Sequence, residues 1–265
     1  MGSRKRIVIC GGGAIGAAVA YFVSLRGARP IVIERHEVGG AASGKSGGFL
    51  ALDWCQGSPL DQLARRSFAL HARLSSDLGD PWGYLRLTTY SGYAAADDTA
   101  RGKGQPPWLS ARVAITSRLG SVESTAVIEP RAFTAGLMRA AQVRGAMLRN
   151  GTVVDLVREQ SGAVRGVALA TGEIVEGDAV VIAMGPWSIL AARWLPLPAV
   201  FGYKGHSLVF DTGGAIPAEA LFLEYREDER RNPDPRAIPA GRWHHVGVCD
   251  LEHWAAAGRS SGCCG

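Results

Sequence analysis

Gly11, Gly12, Gly13 and Gly16 follow a short apolar run, Ile7-Val8-Ile9-Cys10, and a second apolar run, Ile31-Val32-Ile33, ends in Glu34. The pattern reads as a strand, a G-x-G-x-x-G turn, a small-residue helix and a second strand with an acid at its end, and each part has a task in holding a dinucleotide. Gly11 permits the tight turn out of the strand. Gly13 lets backbone approach a pyrophosphate, and Gly16 lets the helix lie close to the sheet. The helix N-terminus offers unpaired N–H groups and the positive end of its dipole to phosphates. Glu34, eighteen residues past Gly16, can accept from both ribose hydroxyls and repels a ribose phosphate, which disfavours NADP.

Two other readings compete with a nucleotide turn. Residues 7–25 carry no charge, follow Arg4-Lys5-Arg6 and approach the length of a membrane span or signal segment. Against a span stand the clustered glycines and the second strand beginning just after Gly27, a natural helix stop. A glycine turn without a ligand is the other reading, and the acid at the end of the second strand argues against it.

The chain of 265 residues is long enough for one large domain or two small ones. Its net charge of +5 is spread out, with no basic block longer than Arg4-Lys5-Arg6 and no interleaved aromatic stripe, so nucleic acid is not an expected partner. The charge suits attraction of anionic small molecules. Five cysteines form no paired spacing, which points to thiols in a reducing compartment, and the cytoplasm is the expected location. The oligomeric state is open.

Ser58-Pro59-Leu60-Asp61 predicts a helix start, with Ser58 as cap and Pro59 at the first helical position. Leu60, Leu63, Ala64, Phe68, His71, Leu74 and Leu78 then recur at helical spacing up to Gly79, and His71 reads as a packed core histidine. Residues 84–90 alternate as a strand, and residues 91–108 read as a loop. A helix is predicted from Pro130 to Gly145, with Phe133, Leu137 and Ala141 on one face. A meander follows over 152–157, 163–169 and 173–176, then Ala179-Val180-Val181-Ile182-Ala183 as a buried parallel strand. This is not a uniform alternation of strand and helix. It suggests a nucleotide-binding sheet interrupted by antiparallel material.

Several segments together resemble the flavin-dependent amine and amino-acid oxidase family, the group of D-amino-acid oxidase, glycine oxidase and sarcosine oxidase. They are the glycine turn, Glu34-Arg35, the small-residue run Ala41-Ala42-Ser43-Gly44-Lys45-Ser46-Gly47-Gly48, Val127 to Thr134, Asn150-Gly151-Thr152-Val153-Val154, and Ile182-Ala183-Met184-Gly185-Pro186-Trp187-Ser188. Met184 stands where the family has a threonine. Trp187-Ser188 and Tyr203-Lys204-Gly205-His206-Ser207 resemble a eukaryotic subgroup of FAD-dependent oxidoreductases.

The resemblance implies an α/β fold in which a Rossmann-like FAD-binding domain (1–80 and 125–200) is interleaved with an antiparallel-sheet substrate domain (81–124 and 201–228). Residues 229–265 would form a divergent tail that leaves the substrate domain incomplete. It also implies FAD as cofactor. Gly11, Gly13, Ala14 and Ile15 would hold pyrophosphate, Glu34 the ribose, and Arg35 would border the adenine. Ser43, Lys45, Ser46, Gly47 and Gly48 would line the phosphates and flavin, Val153 and Val154 would pair with adenine through their backbone, and Gly185 would lie near the ribityl chain.

In such a family the flavin takes hydride from a carbon bearing an amine, so no protein acid/base pair is obligatory and the catalytic residues stay unassigned. Tyr203, Lys204 and His206 are the substrate-pocket candidates, with a surface loop as the alternative. Arg86 and Tyr90 are weaker candidates for the same wall. The tail from about residue 229 lacks a strand pattern and is expected to be an out-of-frame or alternatively spliced ending. Its His245, Cys249 and His253 share a four-residue spacing that zinc ligands can have, but with Cys263-Cys264 the tail reads as carrying reactive, disordered thiols rather than a metal site. The leading expectation is an FAD-dependent oxidoreductase acting on a C–N bond of a small amine or amino acid. A non-catalytic FAD- or nucleotide-binding product is a second, and a nicotinamide-dependent dehydrogenase a third, disfavoured by the segments around Ser43 and Gly185.

Overall fold

Four short stretches, from both ends of the span of residues 7–182, form one parallel sheet in the computed structural model of the chain, which describes residues 5–95, 105–208 and 217–226. In chain order the strands and helices are β1 (Ile7–Cys10), α1 (Ala14–Leu25), β2 (Ile31–Glu34), β3 (Phe49–Ala51), α2 (Asp61–Leu78), β4 (Leu85–Arg86), β5 (Thr88–Ala95), β6 (Val113–Gly120) and β7 (Thr125–Val127). There follow α3 (Pro130–Val143), β8 (Met147–Asn150), β9 (Val153–Arg158), β10 (Val164–Leu169), β11 (Ile174–Glu176), β12 (Ala179–Ile182) and β13 (Glu219–Arg226). Short 3-10 segments cover Ser43–Lys45 and Gly185–Arg193. The chain divides into two units, residues 1–46 with 129–208 and residues 47–128 with 209–265.

The first unit is built on the sheet β12-β1-β2-β8, parallel throughout. β1 has a neighbour on each side, and Val8 and Ile9 are fully buried, as a central parallel strand covered on both faces requires. α1 and α3 pack together on one face, with Ile9 turned toward α1. Val8, Cys10 and Ile33 point the other way, into a core shared with Leu156, Val167, Leu169 and Val175 of the antiparallel layer β11-β10-β9. The result is three layers: helices, parallel sheet and meander. α3 starts where Glu129 accepts from the Arg131 and Ala132 N–H groups with Pro130 at its first turn, and it buries Phe133, Leu137 and Ala141. β12 departs from the sequence reading. It is the edge of this sheet, and Val180, Val181 and Ile182 are only half-buried while Ala179 is exposed.

The second unit holds two small sheets, β3-β7-β4 and β13-β5-β6, the latter with β5 antiparallel to β6 and parallel to β13. Phe49, Trp54 and Phe222 meet with ring centroids 5.0 Å apart. α2 and β3 belong here, whereas the sequence reading gave residues up to 80 to the cofactor domain. Two local expectations are corrected. The helix begins at Asp61, because Ser58-Pro59-Leu60 forms a separate turn in which Ser58 accepts the N–H groups of Leu60 and Asp61. The stretch read as a loop from residue 91 continues as strand to Ala95, while 96–104 lie outside the described residues. The strand read over 84–90 is broken at Leu87 into β4 and β5. α2 ends at Gly79, in the left-handed conformation (φ 74°).

Candidate cofactor site

A cavity of about 1140 Å³ opens in the first unit over the C-terminal ends of β1, β2 and β12. That is the end of a parallel sheet at which ligands bind, beside the helix that follows β1. The turn is shaped by its glycines. Gly11 sits at φ 109°, donates to the Ile33 carbonyl at 2.8 Å, and any Cβ there would run into the Ala183 carbonyl oxygen. A Cβ on Gly16 would collide with the Gly11 carbonyl oxygen, so this residue lets α1 start flush against the turn.

Around the turn the polar groups are already ordered. The Glu34 carboxylate accepts the Gly12 N–H at 2.7 Å and the His36 N–H at 3.0 Å. The Ser43 hydroxyl accepts the Ala14 N–H at 2.9 Å, capping the first turn of α1 from 29 residues away. Gly39 donates to the Gly12 carbonyl at 3.0 Å, which pins the segment after β2 to the glycine turn. Arg131 pairs with Glu37 of that segment at 2.5 Å. Burial pushes the Cys10 thiol up to about 12, so the sulfur at the end of β1 stays protonated and apolar at neutral pH.

Of the residues singled out from sequence, Gly11, Gly13, Ala14, Ile15, Glu34, Arg35, Ser43, Lys45, Val153 and Gly185 line this cavity. Gly16 lies behind it, under the turn. Ser46 donates to the Ser43 carbonyl at 3.1 Å and is exposed, and Val154 is exposed beside the lining Val153. Gly47 and Gly48 fall in the second unit. Tyr203, Lys204 and His206 are exposed and do not line the cavity. Phe201 and Tyr203 stack edge-on with centroids 5.4 Å apart. Arg86 donates to the Val122 and Glu123 carbonyls and lies over the Phe68 ring, and Tyr90 donates to Glu219. His36, Glu37, Gly39 to Ala42, Met184, Trp187 and Leu190 also line the cavity and were not singled out as ligand contacts. Their signal was position, directly after the two strand ends that carry Glu34 and Ile182.

Among the described residues no group of three or more His, Cys, Asp or Glu could hold a metal ion, and no helix is long and apolar enough to cross a membrane. The stretch 7–25 is a strand followed by a 12-residue helix. His245, Cys249, His253, Cys263 and Cys264 lie outside the described residues.

The FAD dependent oxidoreductase family matches residues 6–250. The chain belongs to that family. FAD is accordingly its cofactor, and the match runs past residue 227, where the sequence reading ended the resemblance. A relative in Schizosaccharomyces pombe is 27% identical over 253 residues, covering 84% of this chain and 65% of that one. The glycine oxidase of Geobacillus kaustophilus is 30% identical over 239 residues, covering 79% and 62%. The crystal structure of glycine oxidase from Bacillus cereus matches with a TM-score of 0.61 at 25% identity, over 72% of this chain and 59% of that one. The chain thus spans less than two thirds of the length of these relatives.

Proposed function

We propose that this chain oxidises a C–N bond of a small amine or amino acid, with FAD in the cavity of the first unit. The observation that carries the reading is the glycine turn braced by Glu34 at the mouth of that cavity, on a chain related to glycine oxidase. The residues fit the cofactor. A Cβ at Gly11 would collide with the Ala183 backbone, so only glycine keeps the turn in shape; Gly13, Ala14 and Ile15 at the start of α1 line the cavity; and its volume lies above the about 300–1,000 Å³ of typical small-ligand pockets, as an extended dinucleotide requires.

When bound, the flavin supplies the hydride acceptor. The chain's own residues bind and orient. Gly13, Ala14 and Ile15 offer N–H groups and a helix dipole to the pyrophosphate, and Lys45 adds a cation. The Ala14 amide now held by Ser43 would be shared with or ceded to a phosphate oxygen. Glu34 would accept from the ribose while keeping its brace on Gly12. Val153 would present backbone beside the adenine and Gly185 would lie near the ribityl chain, with Ser46 and Val154 next to lining residues of the same cavity. Gly16 acts by letting the helix approach. Free thiols at Cys10 and Cys55 suit a reducing compartment such as the cytoplasm.

The test is the visible absorption spectrum of the purified protein, followed by anaerobic mixing with a panel of amines and amino acids. Flavin bands that bleach with an amine and not with the matching hydroxy acid support the reading, whatever the natural electron acceptor. A protein that carries flavin but bleaches with no amine would turn it into a binding protein. One that binds NAD and no flavin would make it a dehydrogenase.

A further inference from the structure

The guanidinium of Arg35 lies over the indole ring of Trp187, 4.2 Å from its centroid, and both residues line the cavity. Arg35 directly follows β2, and Trp187 stands in the 3-10 segment that follows β12. In the sheet these strands flank β1, so the stacked pair crosses above the C-terminal end of β1, where the glycine turn begins. The two backbones are held independently. The Asn150 side-chain amide donates to the Arg35 carbonyl at 3.2 Å, and the Trp187 N–H donates to the Met184 carbonyl at 3.1 Å, within a turn set by Gly185 at φ 55° and Pro186. Only the side chains are left to move.

From this arrangement we infer that Arg35 and Trp187 form a clasp over the dinucleotide, which must part to admit the cofactor and close again to retain it. The inference rests on the proposed cofactor site and adds a role for Trp187 that no contact of the glycine turn supplies. A dinucleotide held by the turn and by Glu34 has to pass beneath a pair that spans β1. A cation on an aromatic face is an apt closure: the contact is strong enough to stay shut and, at a surface where Trp187 is 39% exposed, weak enough to open on its own. Arg35 and Trp187 are therefore positioning residues and take no part in the chemistry.

The experiment compares FAD uptake and release by the full chain as wild type, Trp187→Ala, Trp187→Phe, Arg35→Ala, Arg35→Lys and the double Trp187→Ala/Arg35→Ala variant, read by flavin fluorescence after mixing and after dilution. Trp187→Ala is expected to release FAD about fivefold to tenfold faster and to take it up faster as well, with Trp187→Phe in between. Arg35→Lys keeps the charge but loses the planar stack, and should fall nearer Arg35→Ala than wild type. The double variant should be no faster than either single one, because the two side chains act as one device. Release at the wild-type rate in Trp187→Ala overturns the clasp. So does faster release with unchanged uptake, which marks a simple contact, or effects that multiply in the double variant. A wild-type protein that takes up no FAD overturns the cofactor site itself, and the clasp with it. Far-UV circular dichroism of each variant shows that the fold is kept, and should Trp187→Ala not fold, Trp187→Phe and Arg35→Lys decide.

Discussion

The carboxylate of Glu34 and the backbone N–H of Gly12 meet at 2.7 Å across 22 residues of sequence. The same carboxylate takes the His36 N–H, so the acid that ends the second strand also braces the glycine turn from above. One side chain thus serves the shape of the site and, under the proposed placement, the ribose.

The two duties separate by substitution. Glu34→Gln retains an oxygen for the Gly12 N–H but loses the charge that strengthens hydrogen bonds from ribose hydroxyls. Its dissociation constant for FAD should rise about 10- to 100-fold with little change in stability, following the ~1.5–3 kcal/mol of a charge-assisted hydrogen bond. Glu34→Ala should lose the affinity and also about 1–2 kcal/mol of folding stability, since the Gly12 amide is left without its acceptor. Fluorescence titration and urea unfolding check both. Unchanged affinity in Glu34→Gln would remove the ribose from this carboxylate.

Gly16→Ala is expected to cost about 3 kcal/mol or more, because its Cβ meets the Gly11 carbonyl oxygen and backbone has to move. Gly205→Ala, with open space around the added carbon, should stay within about 0.5 kcal/mol of wild type. Urea midpoints of the two variants give the comparison, and equal midpoints would contradict the close approach of α1 to the turn.

Burial holds the His71 imidazole below its ordinary value, with the hydrogen bond to the Ser67 carbonyl opposing the shift. The folded state therefore prefers the neutral ring more than the unfolded chain does. Its contribution to stability is present above about pH 6.5 and is lost as pH falls through the lower folded value. Carboxylates titrate in the same acid range, so the measurement is a difference. His71→Gln should lose less stability than wild type between pH 7.5 and pH 5.5, by unfolding at both pH values. Parallel losses would mean that His71 is not held neutral.

Cys10 is predicted to resist alkylation in the native protein at pH 8, since its thiol titrates only at about 12 and is 1% exposed. Iodoacetamide labelling followed by peptide mass spectrometry should show Cys10 modified only after denaturation. Rapid native labelling would mean that the end of β1 opens far more readily than the packing around Val8 and Ile33 indicates.

How far the sequence exposed this structure depends on whether the forces were local. α3 was legible because Glu129, Pro130 and the Phe133, Leu137, Ala141 stripe act within one helix. The turn was legible because glycine spacing is a backbone requirement. β5 was missed beyond Tyr90 because Gly92 reads as a loop residue, yet in the fold it faces the Ala114 carbonyl so closely that a Cβ would collide with it. The exposure of β12 was missed because hydropathy does not distinguish an edge from a centre. The stack of Arg35 on Trp187 joins two strand ends whose adjacency belongs to the sheet order alone.

That sheet order also bears on how the chain comes to fold. β1 pairs with β2 at once, but its other partner, β12, lies at residues 179–182, and β8 joins β2 only after residues 35–146, which include much of the second unit. Loop closures of that length precede the contacts that reward them, so sheet completion should be a late and slow event. On the ribosome the glycine turn emerges early and waits with one flank of β1 unpaired until residue 182 has been made. The cofactor can therefore be captured only after β12 has been made, and truncations before β12 should accumulate as aggregation-prone chains rather than as a smaller flavoprotein.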